Sequence, residues 1–341
     1  MGKIGCAVIG VGLWGEVHAA LYAEHPEMEL VAVCDLNGER AAKVAEEHGA
    51  AKAVTDYREV IGDPAVQAVS IATPDFAHAD AAVAAAKAGK HLLVEKPLAT
   101  TVEECEAIIE AAKGVGVKLM TDFHNRWSPP FYKAWKALRE GEIGRVSHVY
   151  FRLSDTIYVP TKMLHWARQS TVAWFIGSHA LDTVCWLLQE LPHRIYAVSR
   201  SRVLAEKGVE TPDFYSSVLE FPSGATAVVE NDWILPETAP NIIDLKCQVV
   251  GDQGAIYADG SHHRMMEKYT PEEASFPDTF VFPSVQGKQV GFAVESIRHW
   301  IECLARDEQP AVGGAEGLRV TKMILAIEES ARTGRPVVLS W

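Results

Sequence analysis

The chain has 341 residues, is 48% hydrophobic and carries a net charge of −13 from 32 basic and 45 acidic side chains. That length allows two domains, each with a core of its own. That charge, with no Lys/Arg run to overturn it, excludes nucleic acid and anionic membranes as main partners. Six scattered cysteines (Cys6, Cys34, Cys105, Cys185, Cys247 and Cys303) without a C-x-x-C suit a reducing cytosol, each acting as a small hydrophobe. The chain enters directly into the strand-like run 3-KIGCAVIG-10, with no charged leader and no long apolar segment, so a cytoplasmic protein is expected.

The first 120 or so residues alternate short apolar runs, IGCAVIG, LVAVCD, VQAVSIA, HLLVEK and VKLMTD, with Ala-rich helical segments. Such alternation predicts a parallel sheet covered on both faces. The segment 75-DFAHADAAVAAAKAG-89 reads as a helix opened by Asp75 as N-cap and closed by glycine. Past 128-SPP one helix, 131-FYKAWKALREG-141, leads to long alternating strands such as 146-VSHVYFRLS-154, 214-FYSSVLEF-221 and 225-ATAVVENDWIL-235. Their period of two predicts a large, open, mostly antiparallel sheet. Helical patterns return at 291–307 and 315–334. The expected organisation is an α/β Rossmann domain over 1–123 and an α+β domain over 124–341.

The first strand runs into 10-GVGLWG-15, a G-x-G-x-x-G directly after a strand and at the head of a helix. Gly10, Gly12 and Gly15 permit a tight turn, and the backbone at Leu13 and Trp14 begins the helix that would receive a pyrophosphate. The second strand ends at Asp35, about twenty residues on, where a carboxylate would bind ribose hydroxyls and repel a 2′-phosphate. NAD is therefore expected rather than NADP, with Arg40 turned to solvent on the second helix. Two loops follow strands on the same edge, 71-IATPDFAH-78 and 91-HLLVEKPLAT-100. Ligands of open α/β sheets sit at that edge, which makes Thr73, Pro74, His78, Glu95 and Lys96 candidates. The plain alternatives are a surface lysine for Lys96, a core histidine for His78 and a helix cap for Asp75.

The motifs GVGLWGEVH, ATPDFAH, EKP and 124-HNRW-127, in that order, resemble the Gfo/Idh/MocA oxidoreductases, the relatives of glucose–fructose oxidoreductase and inositol dehydrogenase. The resemblance spans essentially the whole chain. It implies that Lys96 is catalytic and adds Asn125 of the HNRW motif to the cofactor residues. It also implies a D-x-x-x-H-x-x-D pattern at a helix head, matched here by His179 and Asp182 in 174-WFIGSHALDTVCWLL-188, with Phe175 standing where the first carboxylate would be. Asp75 and Trp127 depart from the usual Asn and Phe. By resemblance alone the protein pairs through its open sheets as a homodimer or homotetramer.

His179 is expected at a helix N-terminus, where the dipole and the apolar Phe175 favour a neutral ring able to take a proton. Tyr158, Trp166, Trp174, Phe175 and Trp233 are either core residues or sugar-stacking rings, with Trp166 the preferred exception to core packing. Arg168 and Asp155 are candidates for substrate oxygens, Arg168 being equally readable as an exposed arginine without a role. His262 and His263 lie in a turn-rich segment without a ligand cluster, and no metal site is read there. The expected activity is an NAD-dependent dehydrogenase for a secondary hydroxyl of a sugar, glycoside or cyclitol, with Lys96 and His179 in acid–base roles and Asp182 and Asp155 on neighbouring hydroxyls. The rivals are oxidation–elimination with recycled NAD, which cleaves a glycoside, and a non-catalytic dinucleotide or sugar sensor.

Overall fold

A computed structural model describes residues 2–261 and 265–341, so the expectation for His262 and His263 falls outside the described residues. The chain divides into two compact units, Met1–Phe123 with Ser284–Thr321, and His124–Pro283 with Lys322–Trp341.

The first unit begins β1 (Ile4–Ile9), α1 (Leu13–Glu24), β2 (Met28–Cys34), α2 (Gly38–His48), β3 (Lys52–Val54), α3 (Tyr57–Gly62), β4 (Ala68–Ile71), α4 (Ala79–Lys87), β5 (His91–Glu95), α5 (Val102–Val115) and β6 (Leu119–Asp122). Its strands are parallel, in the order β3-β2-β1-β4-β5-β6. Cys6, Ala7, Val8, Leu92, Leu93 and Val94 are all fully buried, as strands covered on both faces require. The order reverses between β1 and β4, the switch point at which such sheets open a crevice outside their carboxyl ends.

Explicit side-chain caps set two of the helix boundaries. The Asn37 side chain accepts from the Arg40 N–H at 3.1 Å and opens α2, and Thr101 Oγ1 accepts from the Glu104 N–H at 3.2 Å and opens α5. The expected Asp75 cap is corrected. Asp75 Oδ1 accepts from the adjacent Phe76 N–H at 2.8 Å and begins a short 3-10 turn, Asp75–Ala77, so α4 starts only at Ala79. A short polar side chain that satisfies its own neighbour competes with the helix.

The second unit holds α6 (Pro129–Arg139), β7 (Val146–Asp155), α7 (Ser178–Leu188), β8 (Arg194–Arg200), the short α8 (Val203–Glu206), β9 (Phe214–Glu220), β10 (Thr226–Asp232), β11 (Ile243–Gly251) and β12 (Ala255–Asp259). These strands and the terminal Val337–Val338 form a seven-stranded sheet in the order β12-β11-β7-β10-β9-β8 and then Val337–Val338. Only the β7–β10 pair is parallel. Alternate residues point inward, Val149, Phe151 and Leu153 on β7 and Ala227 and Val229 on β10 being buried.

The last two helices are α9 (Phe292–Ala305) and α10 (Gly314–Thr333). Here the structure differs from a single boundary after residue 123. The buried stripe of α9, with Phe292, Ile297, Trp300 and Ile301, packs on α1 and β6 and so belongs with the parallel sheet.

Candidate active site

In the first unit the predicted turn is held by steric necessity. Gly10 has φ +84°, and a Cβ there would lie 2.7 Å from the Ala72 carbonyl carbon; one on Gly15 would lie 1.9 Å from the Gly10 oxygen. These two glycines bring the loops after β1 and β4 together. Gly12 is different: a Cβ there would meet only Arg40 Nη1, at 4.0 Å. Gly12 is also the N-cap of α1 and offers no side chain, so the first-turn N–H groups of α1 keep their capacity for an anion. Leu13 is exposed and Trp14 half-buried beside this open side.

Asp35 accepts from the Val11 N–H at 3.1 Å and the Asn37 N–H at 2.9 Å, which aims its carboxylate along the same edge. Arg40 is not simply turned to solvent. Its Nη1 lies 3.4 Å from Asp35 Oδ2, because the Asn37 cap points the first turn of α2 back at β2. Leu36, next in the chain, is 95% exposed, an apolar surface beside the carboxylate that the sequence reading missed. Open turn, uncapped helix and carboxylate together fit a dinucleotide.

Thr73 and Pro74 lie half-buried after β4, with Thr73 Oγ1 donating to the Ala77 carbonyl at 3.1 Å. His78 is buried and its two ring nitrogens face carbonyl oxygens, Pro97 at 2.8 Å and Thr73 at 2.9 Å. It therefore ties the 73–78 loop to the Lys96–Pro97 segment. Burial lowers its pKa, against the two carbonyl contacts that raise it. Lys96 is half-buried at the carboxyl end of β5, and its N–H donates to Glu95 Oε2 at 3.3 Å. Glu95 is buried, with His18 Nε2 3.0 Å from its Oε1; among the described residues His18, Glu95 and Asp122 form one of two groups close enough to hold a metal ion.

In the second unit a 3-10 turn, His124–Trp127, lies against α7. The His124 and His179 rings sit with centroids 4.3 Å apart, and the Asn125 amide donates to Thr183 Oγ1 at 3.3 Å. Arg126 donates from Nε to Asp182 Oδ2 at 2.9 Å and from Nη2 to Oδ1 at 2.6 Å, so both Asp182 oxygens already accept from a guanidinium. Neither His124 nor Arg126 was singled out in sequence. HNRW stands 56 positions before Asp182, and no local period links the two.

The helix head also differs from expectation. A π-turn, Ala173–Gly177, runs without a break into α7, and the Phe175 N–H donates to the Thr171 carbonyl at 3.0 Å. His179 therefore lies past the first turn, and the dipole that falls off within one turn acts upstream of it. Phe175 lies edge-on to Trp166 and tilted against Trp233, both centroids 5.9 Å away. The Trp233 indole N–H donates to the buried Asp155 Oδ2 at 3.2 Å. Trp174 and Trp233 are core residues. Arg168 is exposed and, with Lys162, His165, Lys207 and Glu237, lines a cavity of about 520 Å3.

Two stretches of the chain match described families. Residues 4–123 match the oxidoreductase family with an NAD-binding Rossmann fold, and residues 131–257 match the GFO/IDH/MocA C-terminal domain. The scyllo-inositol 2-dehydrogenase (NAD(+)) of Bacillus subtilis is 30% identical, over 99% of this chain and 96% of its own. The D-xylose 1-dehydrogenase (NADP(+)) 2 of Haloferax volcanii is 30% identical over 97% of each chain. The solved structure of a levoglucosan dehydrogenase in complex with NADH and L-sorbose is similar with a TM-score of 0.84 at 26% identity, over 100% of both chains. No helix among the described residues is long and apolar enough to cross a membrane.

Proposed function

The chain belongs to the Gfo/Idh/MocA oxidoreductases, and from that premise we propose that it oxidises a secondary hydroxyl of a sugar, glycoside or cyclitol with NAD as acceptor. The observation that carries this reading is Lys96, a half-buried cation at the carboxyl end of β5, held beside the open glycine turn by His78. Relatives named for scyllo-inositol and D-xylose support the substrate class. Bound nicotinamide would supply the hydride acceptor. Lys96 bonds to the substrate oxygen and stabilises its developing negative charge, while His179 takes the hydroxyl proton. Gly12 and the first turn of α1 hold the pyrophosphate, and Asp35 the adenosine ribose diol. The Asp35 charge also disfavours a 2′-phosphate, though Arg40 offsets part of that field.

The half-buried Phe175, packed between Trp166 and the buried Trp233, puts an apolar ring where the family pattern has a carboxylate, which favours substrates carrying an apolar group and keeps oxidation–elimination as a second reading. A panel of sugars, cyclitols and aryl glycosides, followed for NADH and for released aglycone in parallel, separates the two. Stoichiometric NADH is expected; aglycone without NADH would favour the second. Positioned acid–base groups contribute about 10²–10⁴-fold, so Lys96→Met should lose at least about a hundredfold in kcat while still binding NAD. Near-normal turnover in that variant would remove Lys96 from the chemistry.

A further inference from the structure

Beneath the Lys96 loop the first unit encloses a group of polar side chains that the proposed reaction does not use. Glu95 and Asp122 are cross-strand partners at the ends of β5 and β6. Asp122 and His18 are fully buried, and Glu95 is 6% exposed. The Lys96 ammonium acts on Glu95 from the loop after β5. The space around the pair is lined by His18 and Tyr22 of α1, Ser70 of β4 and Ser296 of α9. Two ionised carboxylates side by side in such a place repel each other and lose their hydration.

The hydrogen bonds have a direction. The Tyr22 and Ser70 hydroxyls lie 2.5 Å apart. Ser70 Oγ lies 3.0 Å from His18 Nδ1, and with the serine donating there a neutral ring keeps its proton on Nε2, 3.0 Å from Glu95 Oε1. Glu95 Oε2 meanwhile accepts from the Lys96 N–H. With that tautomer Glu95 has a donor on each oxygen, which is the environment of a carboxylate. Asp122 is fully buried, neither of its oxygens has a hydrogen-bond partner, and one of them lies within 4.8 Å of a Glu95 oxygen, which is the environment of a carboxylic acid.

We propose that Glu95 and Asp122 share one proton, carried by Asp122, and that the single remaining charge on Glu95 is the positioning element for Lys96. The charge balances the Lys96 ammonium from behind, and the Glu95 oxygen holds the backbone from which that side chain springs. Burial keeps His18 neutral, its pKa pushed down to about 4, and burial followed by the Glu95 charge raises Asp122 well above the carboxylate range, in accord with this assignment. The inference rests on Lys96 having the role proposed above only in its second half.

Infrared spectra of protein labelled at aspartate carboxyl carbons test the first half without substrate or cofactor. A protonated-acid C=O band is expected at neutral pH, lost in Asp122→Asn and unchanged by EDTA. Absence of the band, or its appearance only after EDTA, which would mean that His18, Glu95 and Asp122 ligate a cation, overturns the shared proton. The second half is read from kcat/KM against pH. Removing a charge beside an ionisable group moves its pKa by roughly 1–3 units. The Lys96-dependent limb should therefore move to lower pH in Glu95→Gln and stay in place in Asp122→Asn. Asp122→Ala should lower kcat, with Asn at that position restoring it. Equal limb shifts in the two amide variants overturn the asymmetry. If Lys96→Met shows no limb to lose, the positioning role falls with the reading of Lys96, and the infrared band still judges the proton.

Discussion

Asp182 in the second unit and Asp122 in the first are both buried, 3% and 0% exposed, yet they meet burial differently. Asp182 has a guanidinium on both oxygens, 2.9 and 2.6 Å away. Asp122 has a second carboxyl nearby, an imidazole 4.0 Å away and no hydrogen bond on either oxygen. A third acid, Asp35, stays near the surface and leans on two backbone N–H groups and, at 3.4 Å, on Arg40. Charge can be kept in a protein interior by a cation or given up by taking a proton, and the choice decides which condition each site is sensitive to. The clamped acid depends on its arginine, the protonated one on pH, the shallow one on the ligand.

The largest effect should come from breaking the clamp. Removing one partner of a buried pair leaves an uncompensated charge and costs about 3–5 kcal/mol. Arg126→Met should lower stability by that order in calorimetry, and Arg126→Met with Asp182→Leu should recover most of it. A loss below about 1 kcal/mol would mean that water already serves Asp182.

Next comes pH. The unfolded chain releases the Asp122 proton near pH 4, whereas the folded chain keeps it, so the stability from this group falls as pH rises above about 4, by up to about 1.4 kcal/mol per unit. Asp122→Asn has no such proton to keep. Its Tm relative to the wild type should therefore rise with pH above about 4 for as long as the folded acid keeps its proton; a constant difference would show Asp122 ionised in the fold. The smallest effect belongs to Asp35. A hydrogen bond to a charged group contributes about 1.5–3 kcal/mol, shared here with Arg40, so Asp35→Ser should narrow the NAD-over-NADP ratio of kcat/KM by roughly tenfold. A wild type that prefers NADP would reverse the reading of this carboxylate.

What was legible in sequence was whatever chain neighbours decide. Gly10, Gly12 and Gly15 are set by a six-residue turn, Asp35 by the end of a strand, and the two sheets by their contrasting periods. The π-turn before α7 was not legible, because one extra residue in a helix leaves the apolar spacing almost unchanged. Asp75 read as a cap because its competing bond to Phe76 uses the same side-chain oxygen. The Arg126 clamp and the His18–Glu95 contact join positions 56 and 77 apart, and only the fold brings such residues together. His18 was present in the GEVH that supported the resemblance, and a histidine on the inner face of the first helix was the one hint of polar burial.

α9 closes the parallel sheet with a segment made late. As the chain leaves the ribosome, β6 emerges with Asp122 at its end, but Ser296 and the Phe292, Ile297, Trp300 and Ile301 stripe follow only after the roughly 160 residues of His124–Pro283. At about 5–20 residues per second that is a wait on the order of ten to thirty seconds. During it the nascent sheet shows bare apolar surface and an aspartate still open to water, which can hold its charge until the helix arrives. The first unit is begun first and completed only after most of the second has been made, and the protonation of Asp122 is an event of its completion during synthesis.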